Sequence, residues 1–340
     1  MQYPLLFEPN IHHVVWGGNR IAPWKNINVE NKENIGESWE VSAVTSSPSV
    51  IANGIHKGKL LPEIIALYPE EILGKAVAKQ YNNTLPLLAK FIDARNDLSI
   101  QVHPDDDMAR REHDKMGKSE MWYVLDAEPG AYIYAGFKDQ LTDEQYKQKV
   151  ADGTITDALA RHEVKSGDVF YIPAGRVHAI CGGILLAEIQ QSSDVTYRIF
   201  DYNRLGLDGA PRELHTELAS KAIDYNVYSE YRTIYPKDYD RANRCISSPF
   251  FNVRMVDVNG PFHRNLKKYD SFIITMCIKG NCCISIRDNG YAIVLNEGHS
   301  CLIPASIADY NIIPLNGTKV QLLDAFINNK STNPFKVIFG

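Results

Sequence analysis

Polar side chains with metal-binding chemistry recur along one face of a predicted strand. Within residues 97–103, period-two alternation places apolar residues on one face and three polar residues on the other, Ser99, Gln101 and His103. Such a stripe could simply face water, as in a half-exposed sheet. Two later residues favour a binding site, because Glu120 heads the next apolar run and His178 follows a Pro-Ala-Gly turn. We therefore expect these side chains to converge in the fold.

Two imidazoles and one carboxylate, with one position open to water or substrate, are the pattern of a catalytic zinc site. Gln101 could add an oxygen ligand. The same residue types also fit the iron triad of two histidines and one carboxylate in cupin oxygenases. Spacing alone therefore leaves zinc and iron as alternatives. Glu188 and Gln190 bring further polar groups to one face of the apolar run 184–190.

Most of the sequence that must position these residues reads as β-strands. Helical signals are confined to three segments, at residues 60–74, 105–116 and 142–162. The third segment opens with a capping box and breaks at Gly153 into two predicted short helices. The sequence therefore predicts a mainly β fold with a few short helices.

An internal repeat lies within the predicted strands. Residues 164–175 (VKSGDVFYIPAG) and 295–306 (LNEGHSCLIPAS) each place a glycine six residues before a proline, with alternating apolar residues between them. This pattern is typical of the second half of a cupin motif, and a cupin is a jelly roll of two sheets around a ligand cavity. The repeat therefore predicts two cupin β-barrels.

The two copies differ at the position where chemistry would occur. Five residues past the proline, the first copy has His178, whereas the second copy has Asp309. We therefore predict a catalytic cupin domain with a metal site over residues 1–240. Residues 241–340 are predicted to form a degenerate cupin domain without metal.

Composition narrows the classes of partner. The chain has 340 residues, with 36 basic and 41 acidic residues and a formal net charge of -5. Because no long run of like charges or of apolar residues occurs, we expect neither a nucleic-acid partner nor a membrane partner. The first residues do not resemble a signal peptide, so the predicted location is the cytoplasm. The six cysteines lack metal spacing and are predicted to be reduced.

Several motifs together resemble one enzyme family along nearly the whole chain. Residues 86–106 (PLLAKFIDARNDLSIQVHPDD) closely resemble the signature of type I mannose-6-phosphate isomerases. The resemblance continues at residues 117–122 (GKSEMW), at the 173–178 turn and at residues 190–204 (QQSSDVTYRIFDYNR). Order and spacing are those of the short bacterial form. One departure is Ser119, where longer members have proline.

The resemblance implies an activity and a set of ligands. It implies interconversion of D-mannose 6-phosphate and D-fructose 6-phosphate through a cis-enediol, by a monomer or a homodimer. It implies one zinc ion per chain, bound by the four residues at the family's ligand positions, Gln101, His103, Glu120 and His178. It also implies that Arg198 is the catalytic arginine.

The remaining roles stay open between candidates. Glu188 and Lys118 are both candidates for the base, and Lys118 or Arg198 could bind the phosphate of the substrate. Ser99 is either a substrate contact or a small residue in a crowded interior. Two rival functions are a metal-dependent cupin oxygenase and a catalytically silent cupin that binds a sugar phosphate.

Overall fold

The computed structural model describes residues 2–327, and antiparallel strands make up most of it. The strands up to residue 233 are β1 (Leu5–Leu6), β2 (Ile11–Gly18), β3 (Ile35–Val41), β4 (Leu87–Ala94), β5 (Ile100–Val102), β6 (Glu120–Ala127), β7 (Tyr132–Phe137), β8 (Leu159–Glu163), β9 (Val169–Ile172), β10 (His178–Ile180), β11 (Ile184–Gln191), β12 (Tyr197–Phe200) and β13 (Arg232–Thr233). The later strands are β14 (Arg241–Ser247), β15 (Asn252–Val258), β16 (Phe262–Asn265), β17 (Ile273–Lys279), β18 (Cys282–Ile286), β19 (Ala292–Leu295), β20 (Ser300–Ile303), β21 (Asp309–Pro314) and β22 (Val320–Phe326).

The strands form four sheets that face each other in two pairs. A seven-stranded sheet (β13-β9-β6-β11-β4-β2-β3) faces a five-stranded sheet (β12-β5-β10-β7-β8). A six-stranded sheet (β1-β20-β17-β22-β15-β14) faces a four-stranded sheet (β16-β21-β18-β19). Apolar clusters fill the space within each pair. The prediction of a mainly β fold with two jelly rolls is therefore confirmed.

The outer faces of the seven-stranded and six-stranded sheets pack together into a shared core. Phe91 on β4 and Met121 on β6 belong to the same buried cluster as Met276 on β17 and Leu323 on β22. As a result, all eight residues of β4 are buried. Its alternate side chains face the second jelly roll and the interior of the first, respectively.

Short helices connect the strands, and one of the predicted helices is shorter than expected. The helices are α1 (Ile21–Trp24), α2 (Leu61–Leu67), α3 (Pro69–Leu73), α4 (Lys75–Gln80), α5 (Asp106–His113), α6 (Asp143–Ala151) and α7 (Thr216–Ala222), with 3₁₀ turns at Gly54–His56 and Ile155–Ala158. The second predicted helix is a 3₁₀ turn at Ile155–Ala158 and does not continue to residue 162, because β8 pairs there with β7 and the sheet bonds replace those of a marginal helix. In the described part of the chain, no helix is long and apolar enough to span a membrane.

The internal repeat of the sequence is also a repeat of structure. Gly167 before β9 and Gly298 before β20 both have left-handed backbone conformations, with φ of 87° and 77°. His178 then begins β10, and Asp309 begins β21. Strands β2–β13 precede residue 240 and form the first pair of sheets, whereas β14–β22 follow it and form the second pair. The one exception is β1, which pairs with β20 in the second pair. The domain boundary at residue 240 stays a prediction.

Loss of Phe91 is expected to weaken the shared core. Its ring is fully buried and meets the edge of Trp24 at a centroid distance of 4.8 Å. Phe91→Ala should lower the free energy of unfolding by about 3–5 kcal/mol, through lost burial and the cavity left behind. Val294→Ala on β19 is the control, since that side chain is 53% exposed. Chemical denaturation of both variants checks this, and equal losses would show that Phe91 is not a core residue.

Candidate active site and metal centre

The two sheets of the first jelly roll bring three predicted ligands together. Glu120 begins β6 in the seven-stranded sheet, whereas His178 begins β10 and His103 follows β5 in the facing sheet. Glu120 Oε2 lies 3.4 Å from His103 Nε2, and Glu120 Oε1 lies 3.3 Å from His178 Nε2. One ligand atom of each residue lies within 4.8 Å of the others, and all three residues are buried. Within residues 2–327, no second group of this kind occurs.

Hydrogen bonds on the outer side of the cluster fix which imidazole nitrogens face inward as acceptors. His103 Nδ1–H donates to the Val195 carbonyl at 3.0 Å, and His178 Nδ1–H donates to the Arg176 carbonyl at 2.8 Å. Because a carbonyl only accepts, each ring in its neutral form carries its proton on Nδ1, so both Nε2 atoms have lone pairs that face Glu120. His103 Nε2 and both Glu120 oxygens have no hydrogen-bond partner. Buried acceptors that face one another need a cation, so this donor set fits a metal ion.

The pKa shifts agree with metal-binding protonation states. Burial, together with the positive charge of Lys118, lowers the pKa of His103 to about 3, and burial also lowers the pKa of His178. Burial alone would raise the pKa of Glu120, but the positive charge of Lys118 holds it well below its usual value. Neutral imidazoles and an ionised carboxylate are the forms that bind metal.

Gln101 lies beside this cluster, as the sequence predicts. Its side-chain nitrogen is 3.2 Å from His178 Nε2 and can donate to that lone pair. A half-turn of the terminal amide would exchange the nitrogen for the oxygen, which is the atom that could bind a metal. The position of Gln101 therefore fits a ligand, although its amide faces the cluster with the nitrogen.

A cavity of about 220 Å³ adjoins the cluster and is lined by most of the other predicted site residues. The predicted residues on its wall are Ser99, Gln101, Lys118, Glu188 and Arg198. Lys118 Nζ lies 3.3 Å from Glu120 Oε2, which links the cavity wall to the metal cluster. Gln190 does not line the cavity, because its amide nitrogen donates to the carbonyls of Gln191 and Ser193.

Glu188 is a buried carboxylate, and one of its oxygens forms no hydrogen bond. Its Oε2 accepts from the indole N–H of Trp122 at 2.9 Å, whereas its Oε1 has no hydrogen-bond partner. Burial raises the pKa of Glu188, and the nearby charge of Glu120 raises it further. A carboxylate that lies beside a cavity, with a raised pKa and an oxygen that forms no hydrogen bond, can act as a general base.

Sequence reasoning missed a charged network on the same wall. Lys90 Nζ lies 3.5 Å from Glu188 Oε1 and 3.6 Å from Glu37 Oε2, and it lies over the Trp39 ring at 4.8 Å. One signal was available, since Lys90 is the only basic residue in the otherwise apolar run 87–92. Its partner Glu37 could not be predicted from spacing, because strand register alone brings the two together.

Two arginines line the cavity on its five-stranded side, and the sequence predicted only one of them. Arg198 on β12 lies opposite Gln101 on β5, so both side chains share one face of the sheet. Arg212 donates to both oxygens of Asp201 at 2.7 and 2.6 Å. Among residues 2–327, no carboxylate forms an ion pair with Arg198. Its charge is therefore available to an anionic ligand.

Ser119, the departure from the pattern of longer family members, holds the turn before Glu120. Its N–H donates to Gln191 Oε1 at 2.8 Å, and its hydroxyl accepts from the N–H of Ala174 at 3.2 Å. Proline could not make the first of these bonds. The turn therefore differs in its bonding, yet Glu120 still faces the two histidines.

Comparisons with known proteins identify the family. Residues 5–135 match the model of the type I phosphomannose isomerase catalytic domain, and residues 243–318 match that of the mannose-6-phosphate isomerase cupin domain. The mannose-6-phosphate isomerase of Streptococcus mutans is 33% identical over 91% of this chain and 95% of its own length. This chain belongs to the type I mannose-6-phosphate isomerase family. It is therefore an aldose–ketose isomerase with two cupin jelly rolls.

Solved structures agree with this family assignment. The mannose 6-phosphate isomerase from Bacillus subtilis superposes with a TM-score of 0.85 at 30% sequence identity, covering 96% of this chain and 100% of that one. Bacillus subtilis ManA, named a mannose-6-phosphate isomerase, is 31% identical over 91% of this chain and 95% of its own length. The oligomeric state and the cytoplasmic location of this isomerase stay predictions.

Removal of His178 should empty the metal centre. His178→Ala is expected to weaken metal binding by more than about a hundredfold, because loss of an outer partner of a ligand alone costs 10–100-fold. Asp309→Ala is the matched control at the start of β21, where Asp309 bonds His263 Nε2 at 2.8 Å. Elemental analysis of both purified variants checks this. Similar metal losses in the two variants would contradict the assignment of the centre to the first jelly roll.

Proposed function

We propose that this isomerase interconverts D-mannose 6-phosphate and D-fructose 6-phosphate by proton transfer between C2 and C1 through a cis-enediol. The observation that carries the proposal is Glu188, a buried carboxylate that lines the same cavity as Gln101 and Lys118 and whose Oε1 forms no hydrogen bond. Membership of the family favours this reaction over a cupin oxygenase and over a silent sugar-phosphate-binding protein.

The proposed metal is one zinc ion per chain, held by Gln101, His103, Glu120 and His178. The unpaired acceptor atoms of the cluster support a bound cation. Zinc would supply a redox-inert Lewis acid that polarises a carbonyl oxygen, which suits an isomerisation because no electrons are transferred. The iron alternative suits the same ligands but has no redox step to serve in this reaction.

Glu188 is the proposed base. Its Oε1 takes the proton from C2 of the open-chain aldose while the aldehyde oxygen O1 takes a proton from water, and this gives the enediol. O2 then gives its proton to the hydroxide so formed, and C1 receives the proton held by Glu188, which gives the ketose. Because the pKa of Glu188 is raised towards neutral pH, the side chain can both take a proton and give it back during the reaction. The bond from Trp122 occupies Oε2 and leaves Oε1 for the reaction.

The cations of the cavity have separate proposed roles. Lys118 is paired with Glu120, so we assign it to holding the substrate oxygens rather than to proton abstraction. Arg198 stabilises the negative charge that develops on the reacting oxygens, because no carboxylate of the described residues neutralises it. Arg212, held by Asp201, binds the phosphate group. Ser99 supplies a hydroxyl contact on the same wall.

A Glu188→Gln variant tests the proposed base and the reaction together. The amide still accepts from Trp122 but cannot take a proton from carbon, so kcat should fall by about 10²–10⁴ while metal content stays normal. The measurement is a coupled assay of fructose 6-phosphate formed from mannose 6-phosphate, with Glu163→Gln on β8 as the exposed control. Absence of conversion by the zinc-loaded unmodified enzyme would overturn the proposed function. Full activity of Glu188→Gln would overturn the base alone.

An Arg198→Ala variant tests where the arginine charge acts. A guanidinium has no lone pair for zinc, so metal content should stay normal. Loss of charge stabilisation should lower kcat and kcat/KM together by about 10²–10³. Steady-state kinetics with metal analysis on the same preparation provides the check. A raised KM with unchanged kcat would instead make Arg198 a substrate clamp.

A further inference from the structure

The segment between β12 and α7 folds back onto the strand that carries Arg198. Its first residue, Asp201, is buried and accepts hydrogen bonds from Arg204 Nε at 2.9 Å and from Arg212. These bonds tie the start of the segment to its later residues. They also hold Arg212 on the wall of the cavity, close to Arg198.

The end of this segment holds Arg198 at three points. The ring Nδ1 of His215 accepts from the backbone N–H of Arg198 at 3.2 Å, and the His215 N–H donates to the Arg198 carbonyl at 2.7 Å. Arg198 Nη1 donates to the Glu213 carbonyl at 3.0 Å. Residues 213–215 therefore contact both the backbone and the guanidinium of Arg198.

The first of these bonds fixes the protonation state of His215. A backbone N–H can only donate, so Nδ1 must carry the lone pair and the ring proton must be on Nε2. An imidazolium has a proton on both nitrogens and could not accept this bond. The bond from the Arg198 N–H to the His215 ring therefore exists only while His215 is neutral, whereas the bond between the two backbones does not depend on the ring.

We propose that His215 is a positioning residue for Arg198: its neutral ring holds the Arg198 backbone and thereby aims the guanidinium into the cavity. This inference rests on the proposed function, because it assigns a role to a residue that acts through Arg198. The ring itself need not touch substrate, since it is not among the residues that line the cavity. Loss of the ring should therefore alter the chemical step through the geometry of Arg198.

The groups around His215 agree with a neutral ring. Burial lowers the pKa of His215 below its ordinary value, and Arg198 and His113 on α5 also oppose a positive charge. Glu213 acts in the opposite direction, with its Oε2 3.9 Å from His215 Nε2. Tyr197 on β12 lies near the ring and is itself bonded to His113 Nε2 at 2.8 Å.

The direction of the pH effect follows from this shift. Because the pKa in the folded protein is lowered, the contact is present above the ordinary histidine pKa of about 6.5. It is lost as the pH falls through the lowered pKa. Acid should therefore break the bond between the His215 ring and the Arg198 N–H.

Two variants separate positioning from a general structural role. His215→Asn keeps an acceptor at the position of Nδ1 that cannot be protonated, whereas His215→Ala removes it. At pH 8, His215→Ala should lower kcat by at least about tenfold, with normal metal content and a melting temperature close to that of the unmodified enzyme. His215→Asn should keep kcat within about twofold and stay active at lower pH than the unmodified enzyme.

The control is His13→Asn, since His13 Nδ1 also bonds a backbone group, the Glu33 carbonyl at 2.8 Å, at an exposed position away from the cavity. Its pH profile for mannose 6-phosphate conversion should match that of the unmodified enzyme. Normal kcat in His215→Ala would overturn the proposal, and so would a defect that His215→Asn does not rescue. The proposal would also be overturned if the activity of His215→Asn and that of the unmodified enzyme fell at the same acidic pH. If the unmodified enzyme does not convert the substrate, the proposed function fails instead.

Discussion

The buried Glu120 carboxylate is the constraint on which the rest of the site depends. Two imidazole lone pairs face it, and Lys118 is its cationic contact, at 3.3 Å. An ionised group in the interior costs several kcal/mol unless partners compensate it. Lys118 is one such partner, whereas the two imidazole lone pairs cannot compensate a negative charge, so the facing acceptors favour a bound cation.

Backbone bonds keep the three ligand-bearing segments in register. The N–H of Lys118 donates to the Pro104 carbonyl at 3.1 Å, and the N–H of Gly175 donates to the His103 carbonyl at 2.9 Å. The loop after β5 is thus tied both to the residues before Glu120 and to the turn before His178. Because these bonds are made by the main chain, they hold the ligands without using the side chains that face the cavity.

The second jelly roll supports this site through packing. Met121 on β6 and Ile189 on β11 contribute to the core shared between the two jelly rolls, and each is adjacent in sequence to a site residue. Alternation along a strand thus places an apolar anchor on one face and Glu120 or Glu188 on the other. Apolar clusters cover both faces of the seven-stranded sheet, so the charged side chains on its strands are shielded from bulk water.

Much of this arrangement could be predicted from the sequence, because it depends on local periodicity. Period-two alternation predicted the polar stripe of β5, and the repeated Gly-to-Pro spacing predicted two jelly rolls and the position of His178. Pairing between distant strands could not be predicted in this way. Lys90 meets Glu37 through the register of β3 and β4, and Arg212 reaches the cavity through its bond to Asp201. The strand β8 replaced part of a predicted helix for the same reason, since its partner β7 is distant from the local signal.

The most direct test of the account is anomalous diffraction from crystals of the enzyme, collected on both sides of the zinc and iron absorption edges. One zinc peak per chain is expected, bounded by His103 Nε2, His178 Nε2, the Glu120 carboxylate and the Gln101 amide oxygen. A peak that appears only at the iron edge would contradict the choice of metal. A zinc peak located elsewhere, or none in enzyme that converts mannose 6-phosphate, would contradict the claim that these facing acceptors exist to bind zinc.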